Sequence, residues 1–421
     1  MIDSPYFSVE SQIPDTVPPQ CDITFAQVLS RHGARDPTAS KTAAYNSTIN
    51  KIHANVRKYS GPYAFLEQYQ YTLGADQLTL FGQDEMVKSG QKFYERYECL
   101  AEEFTPFFRS SSEARVVESA RNFTQGFHAA KLADWRSRHI DSTYPYPITV
   151  ISEADGSNNT LNHGLCNDFE NEAPYNTTAS DAQAAWTKIF ISPIQARLNA
   201  GLPGANLSAS DTIAMMDLCP FNTVASPNGT FSSLFCSLFS ETEWHQYNYY
   251  ETLNKYYGYG PGNKLGPTQG VGFGNELLAR LTAQPVKDET STNHTLDSSS
   301  VTFPLGRRLY ADFSHDNDMT AIFSALGFFN GTALLPNTTI LEAPQADGFS
   351  ASWAVPFASR AYFEKMECGG QTEELVRVII NDRVLPLTQC GGDGLGRCTL
   401  SSFINSLGFV RSGGDWDQCF V

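Results

Sequence analysis

The chain predicts an α/β fold, a central mixed sheet flanked by helices with a smaller, mainly helical domain inserted into it. Three observations carry this. Short apolar segments of strand length alternate with segments whose apolar residues recur at helical spacing, the pattern of a sheet covered on its faces. The middle of the chain lacks strand alternation and is rich in Asn, Ala and Ser. Both chemically loaded segments, Arg31-His32 and His315-Asp316, directly follow predicted strands, where open α/β sheets place their ligands. The expected division is a discontinuous core from 1–155 and 268–421, carrying an N-terminal arm, and a helical insertion at 156–267. Part of 40–105 is expected to pack with the insertion.

Residues 1–20 are Pro-rich and polar and read as an arm lying over the body. Residues 23–29 (ITFAQVL) form a buried strand that runs into Ser30-Arg31-His32-Gly33. Across 82–100, Met86, Val87, Phe93, Tyr94 and Tyr97 recur at helical spacing. A short strand at 107–109 precedes a helix opened by Ser112-Glu113, with Val116, Val117, Ala120, Phe123 and Phe127 on one face. Residues 146–152 (YPITVIS) are strand. In the insertion, 208–218 and 239–257 read as helices separated by Pro and Gly. Residues 272–282 are helical, 308–313 (RLYADF) are strand, and 317–326 are helical. Near the end, 361–367 and 375–380 alternate as strands, and Asn381-Asp382 turns the second back towards 384–387. The Ser/Thr-rich segment 290–300 reads as an exposed loop. No internal repeat is present.

Composition excludes several classes of function. No run approaches the ~18 apolar residues of a membrane span. A net charge of -16 repels nucleic acid and anionic membrane. It also repels a phosphorylated ligand at neutral pH, so such a ligand requires a local basic pocket or an acidic working pH. The nine cysteines show no CxxC or Cys/His cluster, so neither a metal nor another cofactor is expected. N-glycosylation sequons begin at Asn46, Asn122, Asn158, Asn176, Asn206, Asn228, Asn293, Asn330 and Asn337, a density that points to a secreted, extracellular protein. The amino terminus lacks a basic and apolar signal, so it reads as processed, with Met1 an added start residue. Nothing requires more than a monomer.

The chemistry concentrates in two places. In Arg31-His32-Gly33-Ala34-Arg35-Asp36-Pro37-Thr38, two guanidiniums flank one imidazole. Guanidinium offers a planar fork that matches phosphate oxygens, and adjacent positive charge keeps an imidazole neutral and nucleophilic. Gly33 permits close backbone approach or a strained turn. A surface loop with salt-bridged arginines accounts for the same composition. In His315-Asp316, an acid beside a phosphate-binding histidine can donate a proton to a departing alkoxide. A bare His-Asp pair is common, and Asp318 could simply cap the following helix. Arg115 opens a helix, where a cation opposes the helix dipole unless it is used.

RHGARDPT resembles the RHGxRxP signature of the histidine acid phosphatase family, and ADFSHDN resembles its HD element. The segment from KYSGPYAFLEQYQY to QKFYERY, MDLCPF, and NKYYGYGPGNKLGPTQGVGFGNELLARLT are similar to fungal phytases over nearly the whole chain. The resemblance implies the histidine phosphatase fold and a phosphohistidine mechanism. His32 would be the nucleophile and Asp316 the proton donor. Arg31, Arg35, Arg115 and His315 would bind the phosphoryl group, Arg115 being preferred to Arg109. Thr38, Lys41 and Lys255 would contact substrate. It also implies the disulfides Cys21–Cys368, Cys166–Cys419, Cys219–Cys236 and Cys390–Cys398, leaving Cys99 as a buried free thiol. The implied substrate is phytate (inositol hexakisphosphate) among other small phosphomonoesters, with neither nucleic acid nor membrane as partner. Thr42, Ala43, Ala44 and Asn254 stand where fungal phytases often carry further basic groups, and Asp36 where an aromatic is common. These departures keep a broad-specificity acid phosphatase open as the alternative. A non-enzymatic secreted glycoprotein that binds phosphorylated ligands is the alternative from another class.

Overall fold

The computed structural model describes all residues except 138–142, 228, 230, 332 and 333. The Asn228 sequon and Thr332 of the Asn330 sequon therefore lie outside the described residues. The expected α/β class is borne out. Among the described residues, eight strands form one mixed sheet: β1 (Cys21–Arg31), β2 (Phe107–Ser111), β3 (Ile148–Ile151), β4 (Leu309–Ser314), β5 (Arg360–Cys368), β6 (Leu375–Ile380), β7 (Arg383–Val384) and β8 (Arg397–Thr399). The order is β3-β2-β4-β1-β5-β6-β7, with β8 also pairing β6. Strands β3, β2, β4 and β1 are mutually parallel, and β5 onward are antiparallel.

β1 is almost continuously buried because helices cover both faces of the sheet. On one face, Val28 and Ala311 pack with Phe93, Phe123 and Phe127 of helices α2 (Leu80–Arg96) and α3 (Ala114–Ala133). On the other face, Leu29 and Tyr310 join a larger core with Phe273, Leu277, Met319 and Ile322. That core continues without a break into the helices between β3 and β4, where no strand occurs among the described residues. Helix α1 (Ala39–Asn55) buries Tyr45, Ile49 and Ile52 in the same cluster. No helix among the described residues is long and apolar enough to cross a membrane.

Several local expectations are corrected. Sequence reading assigns no helix to α1, nor to the 24-residue α4 (Thr178–Gly201). The helix expected to end at 218 is α5 (Ala209–Ala225), which runs through Pro220. Burial of Met215, Met216, Leu218, Phe221 and Val224 offsets the ~3 kcal/mol that an interior proline costs. Helix α6 (Glu241–Gly258) starts at a capping box formed by Ser240 and Glu243. The strand expected at 384–387 stops at Val384, because Pro386 has no N–H to offer the ladder. In the supposed exposed loop 290–300, Thr290, Ser291 and Thr292 are buried. There the carboxylate of Asp288 accepts from both threonine hydroxyls and from the Thr290 amide. Cys99 is exposed rather than buried. α2 breaks at Tyr97, and the short turn Glu98–Ala101 that follows buries Leu100 and Ala101 and turns Cys99 outward.

Four disulfides close the chain: Cys21–Cys368, Cys166–Cys419, Cys219–Cys236 and Cys390–Cys398. The arm is pinned along its length. Ile2 and Val9 are buried, the Val9 amide donates to the Asn381 carbonyl at 2.8 Å, and Arg360 stacks over the Tyr6 ring at 3.7 Å.

Candidate active site

Strands β1 and β4 are parallel neighbours with Arg31 opposite Ser314. The residues that follow them, His32 and His315, therefore leave the sheet side by side at its carboxyl edge. The His32 amide donates to the Ser314 carbonyl at 3.1 Å, and the two imidazole centroids lie 5.7 Å apart. Gly33 is demanded by space. A Cβ there would sit 2.3 Å from the Gly82 carbonyl oxygen, so α2 can approach the loop only past a glycine. Two helices hold the loop. The Gly33 amide donates to Ser119 Oγ and the Ala34 amide to Glu85 Oε2, each at 3.0 Å.

His32 is buried, with Nδ1 2.9 Å from the Gly33 carbonyl oxygen. A carbonyl only accepts, so Nδ1 carries the proton and Nε2 keeps its lone pair. Burial, reinforced by the charges of Arg31, Arg115 and Arg35, holds the imidazole pKa well below its ordinary value. The ring is therefore neutral in mildly acidic solution.

Arg31 lies beneath the site. Its Nη1 donates to the carbonyls of Ile2 and Val355, each at 2.8 Å, and its guanidinium covers the Phe357 ring at 4.3 Å. Its Nη2 is 3.3 Å from Asp3 and 3.2 Å from Asp316. Arg35 and Arg115 line the cavity above. The Nε atoms of Arg31, Arg35 and Arg115 are all buried without a protein acceptor. Buried donors without partners are uncommon, and three around one imidazole form a cradle for an anion.

Arg109 has a different fate. It is fully buried, 2.9 Å from Asp312 and 2.6 Å from Glu276, while Arg280 meets Asp312 at 2.6 Å. It does not line the cavity. Arg109→Met leaves two buried carboxylates short of a counter-charge. It is expected to lower the unfolding free energy by about 3 kcal/mol, measured as a fall in the urea midpoint.

Asp316 opens helix α7 (Asp316–Ala325), and its Oδ2 lies 3.0 Å from Lys255 Nζ. Burial alone would raise its pKa, but Arg31 and Lys255 hold the carboxyl well below the usual range. Asp318 does not cap this helix. His315 occupies the cap position, and Asp318 instead accepts from the His163 amide at 2.6 Å. His315 Nε2 stands 3.3 Å from Glu153 and 3.6 Å from Glu113. Burial would raise the Glu153 pKa, but the hydrogen bond and charge of His315 bring it down to about 2.

Above these groups opens a cavity of about 600 Å³ whose lining includes Thr38, Lys41 and Lys255. Thr38 caps α1 by accepting from the Lys41 amide, and Lys41 Nζ lies 3.4 Å from Asp217. Asn254 lines the cavity with its amide donating to Gln183. Asp36 does not line it. Its carboxylate accepts from the Gly74 backbone instead.

Sequence reasoning missed most of the acids here. Seven carboxylates line the cavity against four Lys and Arg side chains. Asp3, Glu113, Glu153, Asp217 and Glu251 come from separate segments, and no local motif marks them. Among the described residues, Glu113, Glu153 and His315 are the one cluster of metal-ligating types, with ligand atoms within 4.8 Å of one another. Glu113 also contacts Arg115 there, a fixed cation that opposes a second one.

Known proteins share this plan. The family model of the histidine phosphatase superfamily (branch 2) matches residues 22–381. Phytase A of Emericella nidulans is 52% identical over 421 residues, which span 99% of this chain and 89% of that protein. Phytase A of Penicillium oxalicum is 51% identical over 421 residues, 99% of this chain and 90% of its own. The crystal structure of the phytase from D. castellii has a TM-score of 0.80 at 24% identity, covering 99% of this chain and 86% of that one. The Bifidobacterium longum multiple inositol polyphosphate phosphatase in complex with inositol hexasulfate has a TM-score of 0.68 at 15% identity, covering 97% of each chain. These last two are likenesses of fold. A family model matched over most of the chain, and relatives half identical along nearly all of it, establish that the chain belongs to the histidine phosphatase superfamily, branch 2.

Proposed function

We propose that the protein is a secreted acid phosphomonoesterase that hydrolyses phytate stepwise to lower inositol phosphates and inorganic phosphate. The observation that carries this is the neutral His32, its Nε2 free, among three arginines with unpaired donors. A phosphoryl group bound there meets Arg31, Arg35, Arg115 and His315, which offset charge on its oxygens in the transition state. Nε2 attacks phosphorus, the ester P–O bond breaks, and Asp316 gives its proton to the leaving oxygen. Asp316 then takes a proton from a water that attacks phosphorus, and the P–N bond breaks with its electron pair returning to Nε2. Phosphate leaves and His32 is regenerated.

The lowered pKa of Asp316 is compatible with this role. A bound phosphate dianion engages Arg31 and Lys255 and places negative charge beside the carboxyl, and both changes favour the protonated acid. Acidic solution helps further. Burial raises the pKa of Glu251, with Asp217 and Asp3 adding to the shift, and burial raises that of Asp318. The cavity therefore sheds negative charge as the pH falls, which offsets the repulsion expected from the net charge.

Support for secretion comes from the four disulfides and from sequon asparagines exposed at Asn46, Asn176, Asn206 and Asn337. Asn122 and Asn158 are unsuited to glycan in the folded chain. The amide nitrogen of the first is buried, and that of the second donates to the Thr292 carbonyl at 2.8 Å. We also take 156–267, together with α1, as a helical lid domain over the core. Thr38, Lys41 and Lys255 would then meet the outer phosphates.

One observation favours broad specificity instead. Lys41 and Lys255 are already paired with Asp217 and Asp316. Phosphate release from phytate and from 4-nitrophenyl phosphate, measured from pH 3 to 7, separates the two readings. Preference for phytate, strongest at acid pH, is expected. A preference for the aryl ester at every pH would make the protein a general acid phosphatase.

A further inference from the structure

Glu113 stands immediately before α3, and its carboxylate spans two groups of the phosphate cradle. One oxygen contacts the Arg115 guanidinium, and the other lies 3.6 Å from His315 Nε2. A carboxylate presents two coplanar oxygens to a guanidinium much as phosphate does, so the two ligands compete for the same donors. The neighbouring Glu153 is fixed differently. It accepts from the Glu113 amide at 2.8 Å as well as facing His315, and its side chain is more buried. The Glu113 side chain is 38% exposed and can swing into water without stranding a buried charge.

We propose that Glu113 is an internal competitor for phosphate, pairing with Arg115 and His315 until an incoming phosphoryl group displaces it. The inference rests on the phosphate-binding roles given to Arg115 and His315 above. The other charged groups facing this pair are known. Asp76 lies 3.8 Å from Arg115, and Arg35 and Asp316 act on Arg115 through space. Glu153 faces His315, and Asp318 and His32 act on it through space. Asp76 is thus the second acid near Arg115, and among the described residues Glu113 is the one acid that touches both Arg115 and His315.

The test is calorimetric binding of inorganic phosphate at pH 6 to wild type, Glu113→Gln, Arg35→Ala and Asp84→Asn. Asp84 pairs with Lys88 on the exposed face of α2, so Asp84→Asn removes one negative charge away from the cavity. Glu113→Gln is expected to bind phosphate roughly fivefold more tightly than wild type. Asp84→Asn should match wild type. Wild-type binding that is lost in Arg35→Ala upholds the cradle independently. Equal or weaker binding by Glu113→Gln would then overturn the competitor alone. Absence of binding by wild type and Glu113→Gln would overturn the cradle and the competitor together.

Discussion

Replacing His32 with alanine is expected to reduce turnover by ~10⁴-fold or more while leaving the chain folded. The imidazole is the one uncharged nucleophile at the centre of the arginine cradle, and its Nε2 is kept free by the Nδ1 bond to the Gly33 carbonyl. Alanine removes the atom proposed to accept the phosphoryl group. It leaves Arg31, Arg35 and Arg115 in place, so phosphate should still bind. The fold should tolerate the change, because the Gly33 and Ala34 amides remain held by Ser119 and Glu85. Rapid quenching of wild type with labelled substrate should trap an acid-labile phosphoenzyme that is absent from the variant. Near-wild-type turnover in His32→Ala, with phosphate binding unchanged, would sink the nucleophile assignment.

Asp316→Asn is expected to divide substrates by their leaving groups. Inositol and other alkyl phosphates release a strongly basic alkoxide that must be protonated as it departs, and their kcat should fall by ~10³-fold. A nitrophenolate leaves without that help, so 4-nitrophenyl phosphate should lose less than about tenfold. The substitution also removes the negative partner of Arg31 and Lys255. Phosphate should therefore bind the variant at least as tightly as wild type. Equal slowing of both substrates would assign Asp316 to positioning rather than to proton transfer.

Much of this protein was legible in its sequence, for a physical reason. Strands β1 and β4 are buried on both faces and so read as apolar runs, and the segments that leave them carry Arg31-His32 and His315-Asp316 within a few residues. Local chemistry attached to a local pattern survives in one dimension. The α/β class and the positions of these two segments could be read in that way, and the superfamily came from the resemblance of RHGARDPT and ADFSHDN to its motifs. Helix α1 could not, because its apolar residues are sparse and its stability comes from the shared core, and α4 could not, because Pro193 interrupts the stripe of Ala182, Trp186, Phe190, Ile194 and Leu198. Pro220 misled for the same reason, since packing outweighed its intrinsic cost.

What only the tertiary structure decided is how charge is distributed around the site. Arg109 and Arg115 are six positions apart, yet one is consumed by Asp312 and Glu276 and the other faces the cavity. Asp36 stands next to Arg35 in the chain but turns to Gly74, whereas Asp3, from the arm, reaches Arg31. Glu113, Glu153, Asp217 and Glu251 meet in one cavity although four separate segments supply them. Composition could report only a net charge of -16. Electrostatic energy depends on distance and burial rather than on sequence separation, so which carboxylate opposes which cation is settled only when the chain has folded.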